Sequence, residues 1–473
     1  MADPTHVAHL DAGDWNEWRT AHPHITPDLS RLDLAGRDLH GLNLQGAVLQ
    51  STNLEGADLS GCDLRGAQLR MARLNRARFQ DAVLDGADLS FQNLLEVDFT
   101  GASLRHVDLR NSELHGSRLD GADLSYARLD GVSMAGCSLQ NVRVFKASML
   151  RARIRGADFT GAVLEEVDLS ESDALETRWR EAEWRQVLAQ RANLTRANFY
   201  QARWDQVQLQ GSQMNGANLR FLQAHRVQME GVALEGADLT GSRWSDCVLR
   251  RVTARHTQVD EVTMEQVSLD GSLWDGVDFH TARLTAVTWT GAWLNGCRFT
   301  GMNLRSADFQ QAQLVGADFT EADLRSARLD RADLQGAVFR RANLERARLV
   351  EVQAPRADFG RASLALADLR GGHFPYADFR FATLTGADLT RARMDYAQLS
   401  YADLRTARVL RAWWWGADLS HARVRGLWAW RVLLRMGRLF FAARRRVWEL
   451  RQAREEARRR RAEEVLRERR SPR

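Results

Sequence analysis

Residues able to do chemistry are scarce in this chain, and none of them cluster. Lys146 is its only lysine, so no Gly-Lys pair exists to build a phosphate-binding loop, and a single amine side chain is open to Schiff-base chemistry. No HExxH, CxxC, GxSxG or calcium-loop pattern occurs. Eight of the 12 histidines stand alone, and the other four are His6, His9, His22 and His24. His6-x-x-His9 has the spacing to touch a metal, but is read as part of a flexible surface tail. Cys62, Cys137, Cys247 and Cys297 are too far apart in sequence for a metal knuckle; they are read as buried stand-ins for alanine, with the cytoplasm as the expected compartment. Asp58, Asp88, Asp123, Asp238, Asp318 and Asp388 recur at multiples of five, whereas a catalytic carboxylate pair would be unique, so they are assigned to turns or stacking. The expectation is a non-enzyme with no catalytic, cofactor or metal site.

A period explains why nothing clusters. From Leu29 to Val424 every fifth residue is apolar, at 80 of 80 positions and without insertion or deletion. The stretch DLSRLDLAGRDLHGLNLQGAVLQ (28–50) displays the unit, A-(D/N)-L-x-G. Five fits neither the helical nor the strand period and demands a chain that turns inward once per unit. The residue two before each apolar centre is small or apolar at 78 of 80 places, the exceptions being Arg37 and Gln92. Two residues in five therefore point inward, one large and one small, as a narrow filled core requires. Of 34 glycines, 30 fall two residues after a centre, where a corner needs open backbone angles.

A longer period lies inside the first. Ten of the 12 phenylalanines at centres, from Phe79 to Phe379, share one phase out of four. The coil is therefore 20 residues, and about 20 coils at strand spacing would make a rod of about 95 Å. The period resembles that of the pentapeptide repeat family. The resemblance implies an all-β solenoid, specifically a right-handed quadrilateral β-helix of four pentapeptides per coil. The segment DAGDWNEWRTAHPHITPDLS (11–30) is similar to that family's N-terminal cap. In it Asp11 or Asp14 reads as an N-cap, Trp15 and Trp18 share a helical face, and Pro23 and Pro27 end the helix. The expected division is a cap helix and tail over 1–26, the β-helix over 27–426, and a C-terminal helix over 427–473.

Composition varies along the rod while the frame holds. Between 171 and 300 the centres include Trp179, Trp184, Trp204, Trp244, Trp274 and Trp289, and also Ala174, Ala189, Ala224 and Ala254. Trp184, Trp204, Ala224 and Trp244 share one column, so large and small residues compensate in volume. The expectation is a diverged, bent stretch; its alternative is a binding site on a locally distorted face.

The charge is uneven. The chain carries +5, but residues 425–473 hold 17 Arg and 6 Glu, which is +11, so the rest is −6. The segment 427–450 reads as an amphipathic helix with Trp430, Leu433, Met436, Phe440, Phe441, Val447 and Trp448 on its apolar side. It is not a membrane span, because Arg431, Arg435 and Arg438 would each cost about 2.5–3.5 kcal/mol at a bilayer centre. Its expected use is packing on the last coil, with or without homodimerisation. The alternatives are an anionic membrane surface and, last, nucleic acid or an acidic protein.

One surface stands out. Tyr376 and Tyr396 are one coil apart and should stack on one corner, Phe381 and Tyr401 on the next, with Trp413 and Trp415 flanking an inward Trp414. Such an aromatic patch is rarely left bare, and either the C-terminal helix or a partner should cover it. The functional expectation is a non-catalytic, cytoplasmic protein-binding scaffold, with peripheral attachment to the inner membrane as an alternative placement. The resemblance adds two alternatives: a gyrase-binding mimic of duplex DNA that protects against quinolone-type poisons, and an effector or accessory part of a bacterial secretion system. A duplex of about 95 Å carries roughly 56 charges, which −6 does not approach.

Overall fold

The computed structural model describes residues 2–424; the C-terminal helix expected over 427–473 lies outside them. Two short helices, α1 (Pro4–Ala12) and α2 (Trp15–Ala21), open the chain in place of one helix and a tail. The side chain of Asp3 caps α1 by accepting from the Thr5 N–H at 2.8 Å, and Gly13 ends it in the left-handed region. The expectation of a flexible segment around His6 is overturned: His6 is buried and its Nδ1 accepts the Asp28 N–H at 3.0 Å. Asp14 precedes α2 but makes no capping bond, its carboxylate being held at 3.1 Å by His9. Trp15, Asn16 and Arg19 of α2 donate to the carbonyls of Asn43, Gly41 and Gln45 at 2.8, 3.0 and 3.0 Å. The cap thus satisfies a sheet edge that would otherwise invite another chain. Arg37, one exception to the small-residue rule, reaches into it, donating to the Leu10 carbonyl and to Asp11.

Beyond the cap, backbone pairs with the backbone of the next coil. Asp28 bridges Val48, Asp33 bridges Asn53, Asp38 bridges Asp58 and Asn43 bridges Asp63, and these four parallel ladders continue to Arg423. The product is a parallel β-solenoid. Each centre from Leu29 to Leu404 is buried except Leu284, which is half-buried. Phenylalanine rings stack one above another at 4.7–5.3 Å, as in the run Phe279–Phe299–Phe319–Phe339–Phe359–Phe379. Trp179 joins the same column between Phe159 and Phe199.

The small inward position has its own rule. Where it is polar, its side chain usually bonds the carbonyl of the centre 23 residues earlier, as Ser112 to Leu89, Ser117 to Leu94, Cys62 to Leu39 and Cys137 to Leu114 do, while Thr177 and Ser272 turn back to the carbonyl three residues before them. Gln92, the other exception to the small-residue rule, also reaches 23 residues back, through Nε2 to Leu69 at 2.8 Å. Its extra length coincides with missing bridges between Gln68 and Asp88 and between Arg73 and Asn93. All four thiols are buried as expected, and burial pushes those of Cys62, Cys137 and Cys297 up to about 12 and that of Cys247 up to about 11. They are packing groups with little thiolate character.

Corners impose the strictest condition. The residue two after the centre has positive φ at every corner from Arg31 to His421 except Thr281, and at 49 of them it is not glycine. A side chain there costs roughly 1–2 kcal/mol relative to the right-handed region. Thr281 is β-branched and escapes it; beside it the bridges Gln258–Asp278 and Arg283–Asn303 are absent, and the half-buried Leu284 follows.

The irregular band has a definite structure. One ladder broadens into an eight-stranded parallel sheet: β1 (Arg143–Phe145), β2 (Val163–Glu165), β3 (Glu183–Arg185), β4 (Arg203–Asp205), β5 (Gln223–His225), β6 (Arg243–Ser245), β7 (Thr263–Glu265) and β8 (Arg283–Thr285). Most other corners close with a bond such as Ala47 N–H to the Leu44 carbonyl at 3.0 Å; all eight corners after β1–β8 lack it and stand wider. The small position is Ala147 after β1 and then Val167, Val187, Val207, Val227, Cys247, Val267 and Val287 after β2–β8, whereas the same column later reads Ala307, Ala327 and Ala347. Volume compensation also holds, since the Trp204 and Trp244 rings approach to 6.3 Å across Ala224.

The recurring aspartates are backbone caps. Asp58, Asp88, Asp123, Asp238, Asp318 and Asp388 each accept the N–H two residues on, at 2.8–3.0 Å. Where arginine follows, its guanidinium joins in, and this holds Asp63, Asp108 and Asp403 below the usual carboxylate range.

Two outcomes follow. A carboxylate whose folded value is depressed contributes stability above its unfolded value, near 3.9, and loses it as pH falls through the folded one. The melting temperature should hold from pH 7 to about 5 and drop below about 4; Asp63→Asn/Asp108→Asn/Asp403→Asn should melt lower at pH 6 and show a shallower acid decline. Gln311, at φ +58, should reverse the usual penalty for glycine. Denaturant unfolding should find Gln311→Gly more stable by about 1 kcal/mol and Gln311→Val less stable.

Candidate interaction surface

The expected aromatic patch forms in two stacks on successive corners. Tyr376 and Tyr396 lie 5.1 Å apart and 7° from parallel. Phe381 and Tyr401 lie 5.0 Å apart, and His421 extends that stack at 4.8 Å. The stacking follows from the 20-residue register, which puts equivalent corner residues one coil apart. Gly416 continues the first column, and a Cβ there would meet the Tyr396 ring at 2.5 Å, so a side chain at this corner would displace that ring. Phe381, Tyr401 and Trp413 are each about half exposed, Tyr376 38%. Trp414 points inward and is 7% exposed, as the ladder requires, while Trp415 is half-buried with its ring 6.4 Å from that of Trp413. Trp430, Leu433, Met436, Phe440, Phe441, Val447 and Trp448 lie outside the described residues.

Charged groups border the stacks. Arg361 sits over the Phe381 ring at 5.6 Å. Arg393 pairs with Asp395 at 3.2 Å; burial pushes the Asp395 carboxyl above its usual range and, with Arg393 beside it, depresses His373. A carboxylate, an imidazole and a guanidinium thus adjoin the Trp413 end of the patch.

A second surface overlaps the irregular band, for which a binding site on a distorted face is the alternative reading of the sequence, although that reading names none of the residues that line it. Along the wide corner after β1–β5 runs a groove of about 720 Å³. Lys146, Glu166, Gln186, Gln206 and Arg226 line one side, one per coil; Asp168, Leu188, Gln208 and Gln228 line the other. The valine column just inside this corner was the available signal. Met71 and Phe91, 78% and 73% exposed and on the same corner of successive coils, make a smaller apolar spot beside the Gln92 interruption. Among the described residues no group of His, Cys, Asp and Glu could hold a metal ion, and no helix is long and apolar enough to cross a membrane.

Comparison with known proteins bears on the fold. A family model described as pentapeptide repeats matches residues 28–66, 72–178, 190–353 and 374–408, with overlapping copies merged. No curated protein matches the chain. Among solved structures, HetL, a pentapeptide repeat protein involved in heterocyst differentiation regulation from the cyanobacterium Nostoc sp. strain PCC 7120, is 23% identical over 71% of this chain and 91% of its own, with a TM-score of 0.17. Full-length QnrB1, a plasmid-mediated fluoroquinolone resistance protein, is 18% identical over 49% of this chain and 97% of its own, with a TM-score of 0.20. A pentapeptide repeat protein from the thylakoid lumen of Arabidopsis thaliana is 24% identical over 31% and 66%, with a TM-score of 0.10.

Proposed function

The chain belongs to the pentapeptide repeat family, and from that premise we propose that it is a non-catalytic scaffold that binds a protein partner on its C-terminal coils. The rod is then a right-handed, four-sided β-helix of about 20 coils and about 95 Å, divided from its cap near residue 27 and from its C-terminal segment near residue 426. The observation that carries the reading is the pair of aromatic stacks, Tyr376–Tyr396 and Phe381–Tyr401–His421, beside the exposed Trp413. Aromatic rings bury large areas at little entropic cost and dominate interface energetics. Held on a rigid ladder, they are already ordered before a partner arrives, which lowers the cost of binding.

The chemistry of the rest supports the same reading. The recurrent carboxylates are engaged in turns and the thiols are packed away. Outward ladders alternate in sign, as in Glu176 with Arg196, Arg331 with Glu351 and Glu321 with Arg341. That alternation argues against duplex mimicry, which needs uniform negative charge, and leaves a gyrase partner second. The amphipathic segment from 427 is assigned to capping, self-association or anchoring of this end of the rod.

The test is affinity capture from the native host with the full chain as bait, compared with Phe381→Ala/Tyr401→Ala/Trp413→Ala. The expected result is one partner retained by the wild type and recovered at least about tenfold less by the variant, both proteins having the same thermal melt. Equal recovery, or no partner on the wild type, contradicts the proposal.

A further inference from the structure

The groove along the wide corner is independent of the aromatic stacks, and its chemistry narrows what it can hold. Its charges cancel in number, two cations (Lys146, Arg226) against two carboxylates (Glu166, Asp168), and Lys146 sits 3.6 Å from Glu166. A polyanion such as nucleic acid needs a run of uncompensated cations, so it is a poor fit. Small-molecule sites are enclosed, whereas this groove is a shallow channel along the rod, with glutamine amides on both sides and Ala147, Val167 and Leu188 between the polar groups. Its occupant should therefore be long, uncharged and rich in hydrogen-bonding groups.

The spacing of the amides selects further. Gln186 and Gln206 follow each other on the corner, and Gln208 and Gln228 on the facing column, each pair one coil apart. Every amide offers both donors and an acceptor, at a repeat of about 4.8 Å. The inner amides are linked, Gln190 to Gln208 and Gln210 to Gln228, each at 3.3 Å, and the Gln210 Oε1 is left buried with no partner. An extended peptide lying along the rod repeats at about 6.4–6.8 Å per residue pair and falls out of step. A chain of β-linked pyranoses advances by close to one coil per unit and presents hydroxyls on both edges.

We propose that this groove binds a linear, uncharged glycan lying along the rod, one pyranose per coil, with its hydroxyls paired to the amides of Gln186, Gln206, Gln208 and Gln228. Lys146, the only lysine in the chain, stands at one end and reports occupancy without engineering.

The experiment uses the full-length protein and β-1,4-linked gluco-, manno- and xylo-oligosaccharides of two to eight units as probes. Acylation of Lys146 is followed by mass spectrometry, with the N-terminal amine as internal reference, and binding by calorimetry. At least one series should slow acylation of Lys146 but not of the terminus, with affinity rising with length and levelling near about five units, the span of the corner residues. Gln186→Gly/Gln206→Gly should weaken binding about tenfold while leaving the melt unchanged or higher, since both positions have positive φ; Gln208→Val provides a second variant outside the corner. Absence of protection at millimolar probe in all three series overturns the proposal. So does binding unaffected by either variant, or equal protection by an uncharged extended peptide.

Discussion

Everything in this molecule depends on backbone pairing between equivalent residues of successive coils, kept in step by a residue of positive φ at each corner. Parallel bridges tie each coil to the next from Asp28 to Arg423, and a one-residue error at any corner would turn every later side chain to the wrong face. The left-handed residue is therefore a repeated geometric condition and not a local ornament. Glycine meets it freely at 29 of these corners, and the chain accepts strain at the other 49. Phenylalanine stacking and buried leucines must outweigh that strain, each buried side chain contributing about 1.5–3 kcal/mol.

The same constraint creates addressable surfaces. Because equivalent residues recur one coil apart, a substitution pattern at 20-residue spacing becomes a stripe along the rod. Stacked tyrosines, Arg–Glu ladders and the glutamine-lined groove are three such stripes. Their side chains need no loop to position them, which is why an unbroken coil can still carry specific recognition. Departures from the frame stay local: Gln92 and Thr281 each disturb two bridges, and pairing resumes within a coil.

The ladder, its 20-residue phase and the inward pairing of large with small residues were legible in the sequence because each is a strict period in residue type. The aspartate role and the placement of Cys62, Cys137, Cys247 and Cys297 followed from that frame. What was not legible involves contacts without a period. His6 looked like tail because nothing in its own neighbourhood announces the Asp28 N–H that it accepts. The wide corner was noticed only through its tryptophans, from 171 onward, although the sheet begins at β1; the shift from alanine to valine in one column was the cleaner sign. The groove escaped because it depends on corner geometry that an amide-rich composition does not reveal.

The central claim is that register, and not mere repetition of a five-residue unit, holds the rod together. Thermal melting of two deletion variants tests it most directly, one lacking residues 320–339 and one lacking 320–324. The longer deletion takes out one whole coil and lets Phe359 stack on Phe319, so its melting temperature should stay within a few degrees of the wild type. The shorter one rotates every later column by one face and parts the phenylalanine stack, and it should melt far lower or fail to fold. Equal stability of the two variants would contradict the account.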